Sequence, residues 1–111
     1  MAYYDITPKR LGQAAMTTSY ATIYTTPDNT RTFVKDIDIV NTTASTVYIY
    51  VSLVPLAGTA GTANALFYNN ALPAYTTLQW AGSQILEGGE FISVKASATG
   101  CTINVSGAEA I

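Results

Sequence analysis

"RTFVKDIDIVNTTASTVYIYVSLV", residues 31–54, decides how this chain folds. In its first half Phe33, Ile37 and Ile39 fall on one side of an alternating run, and Asp36 and Asp38 on the other. In its second half Val47, Ile49, Val51 and Leu53 alternate with Tyr48, Tyr50 and Ser52. A period of two puts successive side chains on opposite faces of an extended backbone, so each half reads as a strand with one wet face. The link between them, "TTA" (42–44), is short, and the pair reads as a β-hairpin.

The rest of the chain repeats this grammar. "YATIYTT" (20–26) reads as a strand closed by "PDNT" (27–30), where proline presets φ and the Asx side chains bond locally. "ALFYN" (65–69), "AYTTLQW" (74–80) and "QILE" (84–87) read as short strands, with "NALP" and "AGS" as the turns between them. "ILEGGEFISVKASATGCTINVSGAE" (85–109) opens on a double glycine between Glu87 and Glu90 and reads as a second hairpin turning at "ATG" (98–100). "PLAGTAGTAN" (55–64) is low in complexity, cannot bury much, and is expected to be mobile or ordered by a partner. Residues 1–16 read as an extended N-terminal arm followed by a short first strand, Leu11 to Met16, with the sandwich proper at 17–111.

Threonine, valine, isoleucine and tyrosine dominate, and these suit a pleated, half-buried surface. About eight short strands at close spacing imply an all-β chain, a jelly-roll-like antiparallel β-sandwich. An immunoglobulin-type sandwich is the alternative, without that fold's paired cysteines. At 111 residues the chain can bury roughly two thirds of its surface, enough for one core without disulfides. Cys101 is the only cysteine, falls on a strand, and reads as a small buried apolar residue.

Charge is scarce: five basic and seven acidic residues give a net charge of −2. The basic residues form no stripe that could neutralise phosphates, which excludes nucleic acid as a partner. No apolar run reaches ~18 residues and no basic-then-apolar leader opens the chain, so a soluble protein with no membrane partner is expected. A mean hydropathy of +0.22 with so few charges implies weakly polar surface that an assembly would cover, which favours a homo-oligomer.

The chain contains no histidine, which excludes the nucleophilic triads and the Cys/His zinc sites. Asp36 and Asp38 share a strand face and could serve a hard cation only if loops added oxygens, so they read as a solvated face beside Lys35. Glu87 and Glu90 bracket a glycine turn and read as its charged flanks rather than a glycosidase pair. The spaced glycines of 58–64 lack the lysine and helix of a phosphate loop. No catalytic, cofactor-binding or metal-ligating residue is assigned. Tyr48 and Tyr50 alternate onto one face and form either a glycan-stacking strip or an oligomer interface.

Two stretches, "SYATIYTTPDNTRTFVKDIDIVNTTASTVYIYVSL" (19–53) and "LEGGEFISVKASATGCTINVSGAE" (86–109), carry a family resemblance. With Thr26-Pro27, Asn41-Thr42-Thr43, the Leu86–Ile92 turn and Ser106-Gly107-Ala108-Glu109, the sequence resembles small structural proteins of tailed-bacteriophage virions. The resemblance covers roughly residues 17–109 and lies in turns and strands. It implies a non-enzymatic β-sandwich of the virion, commonly trimeric, made in the host bacterial cytoplasm. Such proteins are capsid decoration (cement) proteins that bind and stabilise the head, or tail, baseplate and fibre modules that adsorb to a host-surface glycan. A chain without a fibre stalk fits the first better, with the major capsid protein or other virion proteins as partners. Tyr3, Tyr4 and Ile6 of the arm and Leu56, Thr59 and Thr62 of the 55–64 loop are the expected capsid contacts.

Overall fold

The computed structural model describes residues 5–111. Eight strands form: β1 (Ile6–Ala15), β2 (Ala21–Thr25), β3 (Arg31–Asn41), β4 (Val47–Val54), β5 (Ala65–Leu72), β6 (Thr77–Leu86), β7 (Phe91–Ala96) and β8 (Cys101–Ala110). A 3-10 turn at Thr62–Asn64 interrupts the longest loop. The strands make two four-stranded antiparallel sheets, ordered β1-β8-β3-β6 and β2-β7-β4-β5. Of the consecutive strands only β4 and β5 pair; every other link carries the chain from one sheet to the other. That order is the jelly roll, two interleaved Greek keys, and it sets the immunoglobulin topology aside.

The topology corrects both expected hairpins. β3 lies between β8 and β6 while β4 lies between β7 and β5, so residues 42–46 turn a corner between sheets. Residues 97–100 do the same for β7 and β8. Stacked sheets lie about 10 Å apart, a gap that four or five residues span at ~3.3 Å each. A short polar link therefore serves a corner as well as a hairpin, and alternation names the buried face without naming the hydrogen-bonded neighbour.

Three further corrections follow from local geometry. The first strand begins at Ile6, so residues 6–10 are strand rather than arm. Pro8 is accepted there, opposite Ala108, because β1 is an edge that needs ladder donors on one side only. The segments at 74–80 and 84–87 belong to a single strand, β6, and "AGS" is a bulge in it. Opposite that bulge Lys35 is the extra residue of β3, since Val34 pairs with Gly107 and Asp36 with Ser106. One extra residue reverses the inside–outside phase. Val34 accordingly joins Ile37 and Ile39 in the core, and Phe33, expected inside, is turned to the outer face.

The core between the sheets is aliphatic: Val34, Ile37, Ile39, Val47, Ile49, Val51, Ile92, Val94, Ile103 and Val105 are all buried, as is Cys101. Burial pushes the Cys101 thiol pKa up, so the thiol form is favoured.

Asn41 organises one end of the sandwich. It is fully buried, and its Nδ2 donates to the carbonyls of Ser45 (2.8 Å), Leu72 (3.0 Å) and Pro73 (3.2 Å). Its Oδ1 accepts from the Thr43 amide (2.9 Å) and hydroxyl (2.7 Å). Thr42 bonds the carbonyl of Gly100, whose φ of +110 suits glycine. The Asn-Thr-Thr motif thereby joins three corners, at 42–46, 73–76 and 97–100.

The opposite end is built from 26–30, 87–90 and 55–64. Glu87 to Glu90 form a turn closed by Glu90 N–H to Glu87 C=O (3.0 Å), with Gly89 at φ +86. The turn exchanges two backbone bonds with Thr26, at 2.8 and 2.9 Å. Its glutamates are structural: Glu90 Oε1 accepts the Glu87 amide at 2.7 Å, and Glu87 pairs with Arg31 at 2.8 Å.

Candidate functional surface

The outer face of the β2-β7-β4-β5 sheet carries an aromatic cluster. Alternation on β4 sends Val47, Ile49 and Val51 inward and Tyr48 and Tyr50 outward. Tyr50 lies opposite Lys95 of β7, and β5 brings Tyr68 and Asn69 alongside. Tyr20, just before β2, closes the group from the other side. The Tyr50 ring meets Tyr68 edge to face at 5.1 Å between centroids and Tyr20 at 6.4 Å. Its hydroxyl donates to Asn69 Oδ1 at 2.9 Å. The Lys95 ammonium sits 4.4 Å from the Tyr50 centroid and 4.9 Å from that of Tyr20, a double cation–π contact. Tyr68 and Tyr48 remain 53% and 42% exposed, so the cluster is open to solvent.

Sequence reasoning found Tyr48 and Tyr50 and missed Tyr20, Tyr68, Asn69 and Lys95. The missed residues come from strands far apart in sequence, and only the sheet order brings them together.

The expected capsid contacts fall at the other end of the sandwich. Ile6 opens β1 and is 63% exposed; Leu56 is 69% exposed, and its side chain lies over Gly89. Thr59 and Thr62 are exposed on the same loop. That loop is shaped by its own bonds: Asn64 Nδ2 donates to the Thr59 carbonyl at 2.9 Å, and Asn64 Oδ1 accepts the Gly61 amide at 3.1 Å. Bonds within the loop thus help to set its course. Tyr3 and Tyr4 lie outside the described residues.

Asp36 and Asp38 occupy the outer face of the other sheet, half-buried. The Asp38 carboxyl pKa is raised, first by burial and then by the neighbouring Asp36. Among the described residues no three histidine, cysteine, aspartate or glutamate side chains gather closely enough to hold a metal ion.

No protein-family model matches the chain, and no curated protein is similar to it in sequence. Solved viral capsids are similar in fold. A chain of infectious bursal disease virus, Gx strain, superposes over 96% of this chain with a TM-score of 0.56 and 12% identity. A chain of the T13 particle of the same virus gives 0.51 over 98% with 9% identity, and the VP2 subviral particle 0.50 over 96% with 9%. This chain spans about a third of the length of each, covering 31–32% of them. At this identity the likeness is one of architecture alone.

Proposed function

We propose that this chain is a structural protein of a virion without catalytic activity. In the specific form we favour, it is a bacteriophage capsid decoration protein that assembles as a homotrimer and reinforces the head. The observation that carries the reading is the jelly-roll strand order, similar over nearly the whole chain to capsid chains of a virus. The tailed-phage motifs support it, since three form a corner or turn of this fold and the fourth, Ser106 to Glu109, lies in β8. Thr26 bonds the 87–90 turn, Asn41 and Thr42 tie three corners, and Gly107 packs β8 onto β3.

The mechanism is area burial across subunits. A standard interface of about 1,600 Å², at ~25 cal/mol per Å², offers of order 40 kcal/mol gross, before association costs that consume most of it. The partners are other copies of the chain and the major capsid protein, met through the end that carries Ile6 and the 55–64 loop. Synthesis is in the host cytoplasm and the final location is the virion surface.

Electron microscopy of purified particles tests the reading directly. Density for the chain at repeated positions on the head, and particles that rupture at lower temperature without it, are the expected results. Density confined to a tail tip or baseplate would select an adsorption module instead, and absence from particles would overturn the virion role.

A further inference from the structure

Four properties of the tyrosine cluster go beyond what a sandwich surface needs. Its central ring is pinned: Tyr50 is held by two edge contacts, a cation–π contact and the bond to Asn69, although it lies on an outer face. Fixing a surface side chain costs rotamer entropy, and that cost is useful where a ligand would otherwise meet it on binding. The Lys95 ammonium, second, has no carboxylate within salt-bridge distance among the described residues, whereas Lys9 is paired with Glu109 and Arg31 with Glu87. Third, hydroxyls and an amide stand among the rings, with Tyr68 and Tyr48 substantially exposed. Fourth, the cluster lies toward the Asn41 end. Tyr48 is the second residue of β4 and Lys95 the last but one of β7, beside the corners at 42–46 and 97–100, whereas Ile6, Leu56 and Gly89 mark the other end of a body 47 Å long.

We propose that this face binds a carbohydrate that carries carboxylate groups. The rings present flat apolar surface to the C–H face of a sugar, and the phenol and amide groups meet its hydroxyl rim. Lys95, already desolvated on one side by two rings, supplies the countercharge for the carboxylate, so charge complementarity selects an acidic sugar over a neutral one. Among the described residues no enclosed cavity is present, and an open face suits a polymer chain lying across it. Each site is weak alone, but an oligomer repeated over a particle multiplies it through effective concentration. The inference does not rest on the virion reading, because binding is measured on the isolated protein.

The test uses polygalacturonate and its methyl ester, which share a backbone and differ in charge. Immobilised polygalacturonate should retain the full chain more strongly than the ester, with the difference shrinking as salt rises. Tyr68→Ala and Tyr50→Ala should each weaken retention about tenfold. Lys95→Gln should bring the acid down to the level of the ester, about fivefold, and Lys95→Arg should restore the preference. Circular dichroism and melting of each variant separate lost binding from lost fold, and Tyr68→Ala, at a half-exposed position, keeps the test usable if Tyr50→Ala misfolds. Equal retention of acid and ester, or retention unchanged in Lys95→Gln, overturns the proposal. So does the result that the tyrosine variants alter sedimentation of the protein alone while polygalacturonate is not retained. In that case a second copy, offering Asp36 and Asp38 from its other sheet, covers the face.

Discussion

The Tyr24 hydroxyl lies 2.5 Å from Glu109 Oε2, so that β2 of one sheet is bonded to β8 of the other. Thr32 Oγ1, on β3, is 2.7 Å from the same hydroxyl, and Lys9 of the edge strand approaches the same carboxylate oxygen at 3.3 Å. A polar chain thus crosses the sandwich at the end where the core closes.

Its members differ in how much they contribute. Tyr24 is buried and Glu109 is shielded, so Tyr24→Phe leaves the buried Thr32 hydroxyl without this partner and the Glu109 carboxylate with Lys9. A cost of about 1–3 kcal/mol is expected. Lys9 is an exposed partner, screened by solvent, and Lys9→Gln should cost under ~1 kcal/mol. Urea unfolding of the two variants compares them, and equal losses would contradict the arrangement.

Burial, followed by the hydrogen bond to Glu109, pushes the Tyr24 pKa up to about 12. The fold therefore favours the neutral phenol. The associated stability is fully present below pH ~10, the unfolded value, and is lost as pH rises from there through about 12. A near-ultraviolet phenolate titration should show a late step that disappears in Tyr24→Phe and moves to lower pH in Glu109→Gln.

Gly107 makes the close approach between β8 and β3 possible. A side chain there would place its Cβ in contact with the Phe33 carbonyl oxygen, which belongs to the sheet ladder and cannot yield. Gly107→Ala should cost about 3 kcal/mol or more, or prevent folding. Gly61→Ala, where the added carbon meets nothing within 4 Å, is the matched control and should leave the melting temperature nearly unchanged.

These residues mark how far the sequence could be read. The inward set Val47, Ile49 and Val51 follows directly from alternation, because one face of the strand is buried and the other is not. Phe33 escaped it, since the bulge at Lys35 is a two-strand property that no single strand displays. The corners at 42–46 and 97–100 read as hairpins because link length is the same for both. Asn41 was legible as a turn former, but its burial beneath three corners depends on where β5 and β6 pass. Likewise Tyr50 was visible as an outward residue, while Tyr20, Tyr68 and Lys95 reach it only through the order β2-β7-β4-β5.

Asn41→Ala should be among the most damaging single changes. It removes a buried amide whose two ends serve the Ser45, Leu72 and Pro73 carbonyls and the Thr43 amide and hydroxyl. Each buried group left without a partner costs about 1–3 kcal/mol, so a loss above ~2 kcal/mol is expected. Hydrogen exchange should locate the loosening at 42–46, 73–76 and 97–100, and uniform loss across all strands would contradict the view of Asn41 as a hub for that end.

The contact end calls for point variants rather than truncation. Removing residues 2–10 would delete half of β1, whose register with β8 begins at Ile6 opposite Ala110, and would confuse unfolding with lost binding. Ile6 and Leu56 are 63% and 69% exposed, so Ile6→Glu and Leu56→Glu should leave the melting temperature within about 1 kcal/mol equivalent of the parent. Burying each side chain against a capsid would be worth ~1.5–3 kcal/mol, and a glutamate would add the desolvation of a charge. Each variant should therefore weaken cosedimentation with particles by at least tenfold, while the tyrosine variants of the opposite end cosediment normally. If both glutamate variants bind particles as the parent does, this end of the sandwich is not the capsid contact.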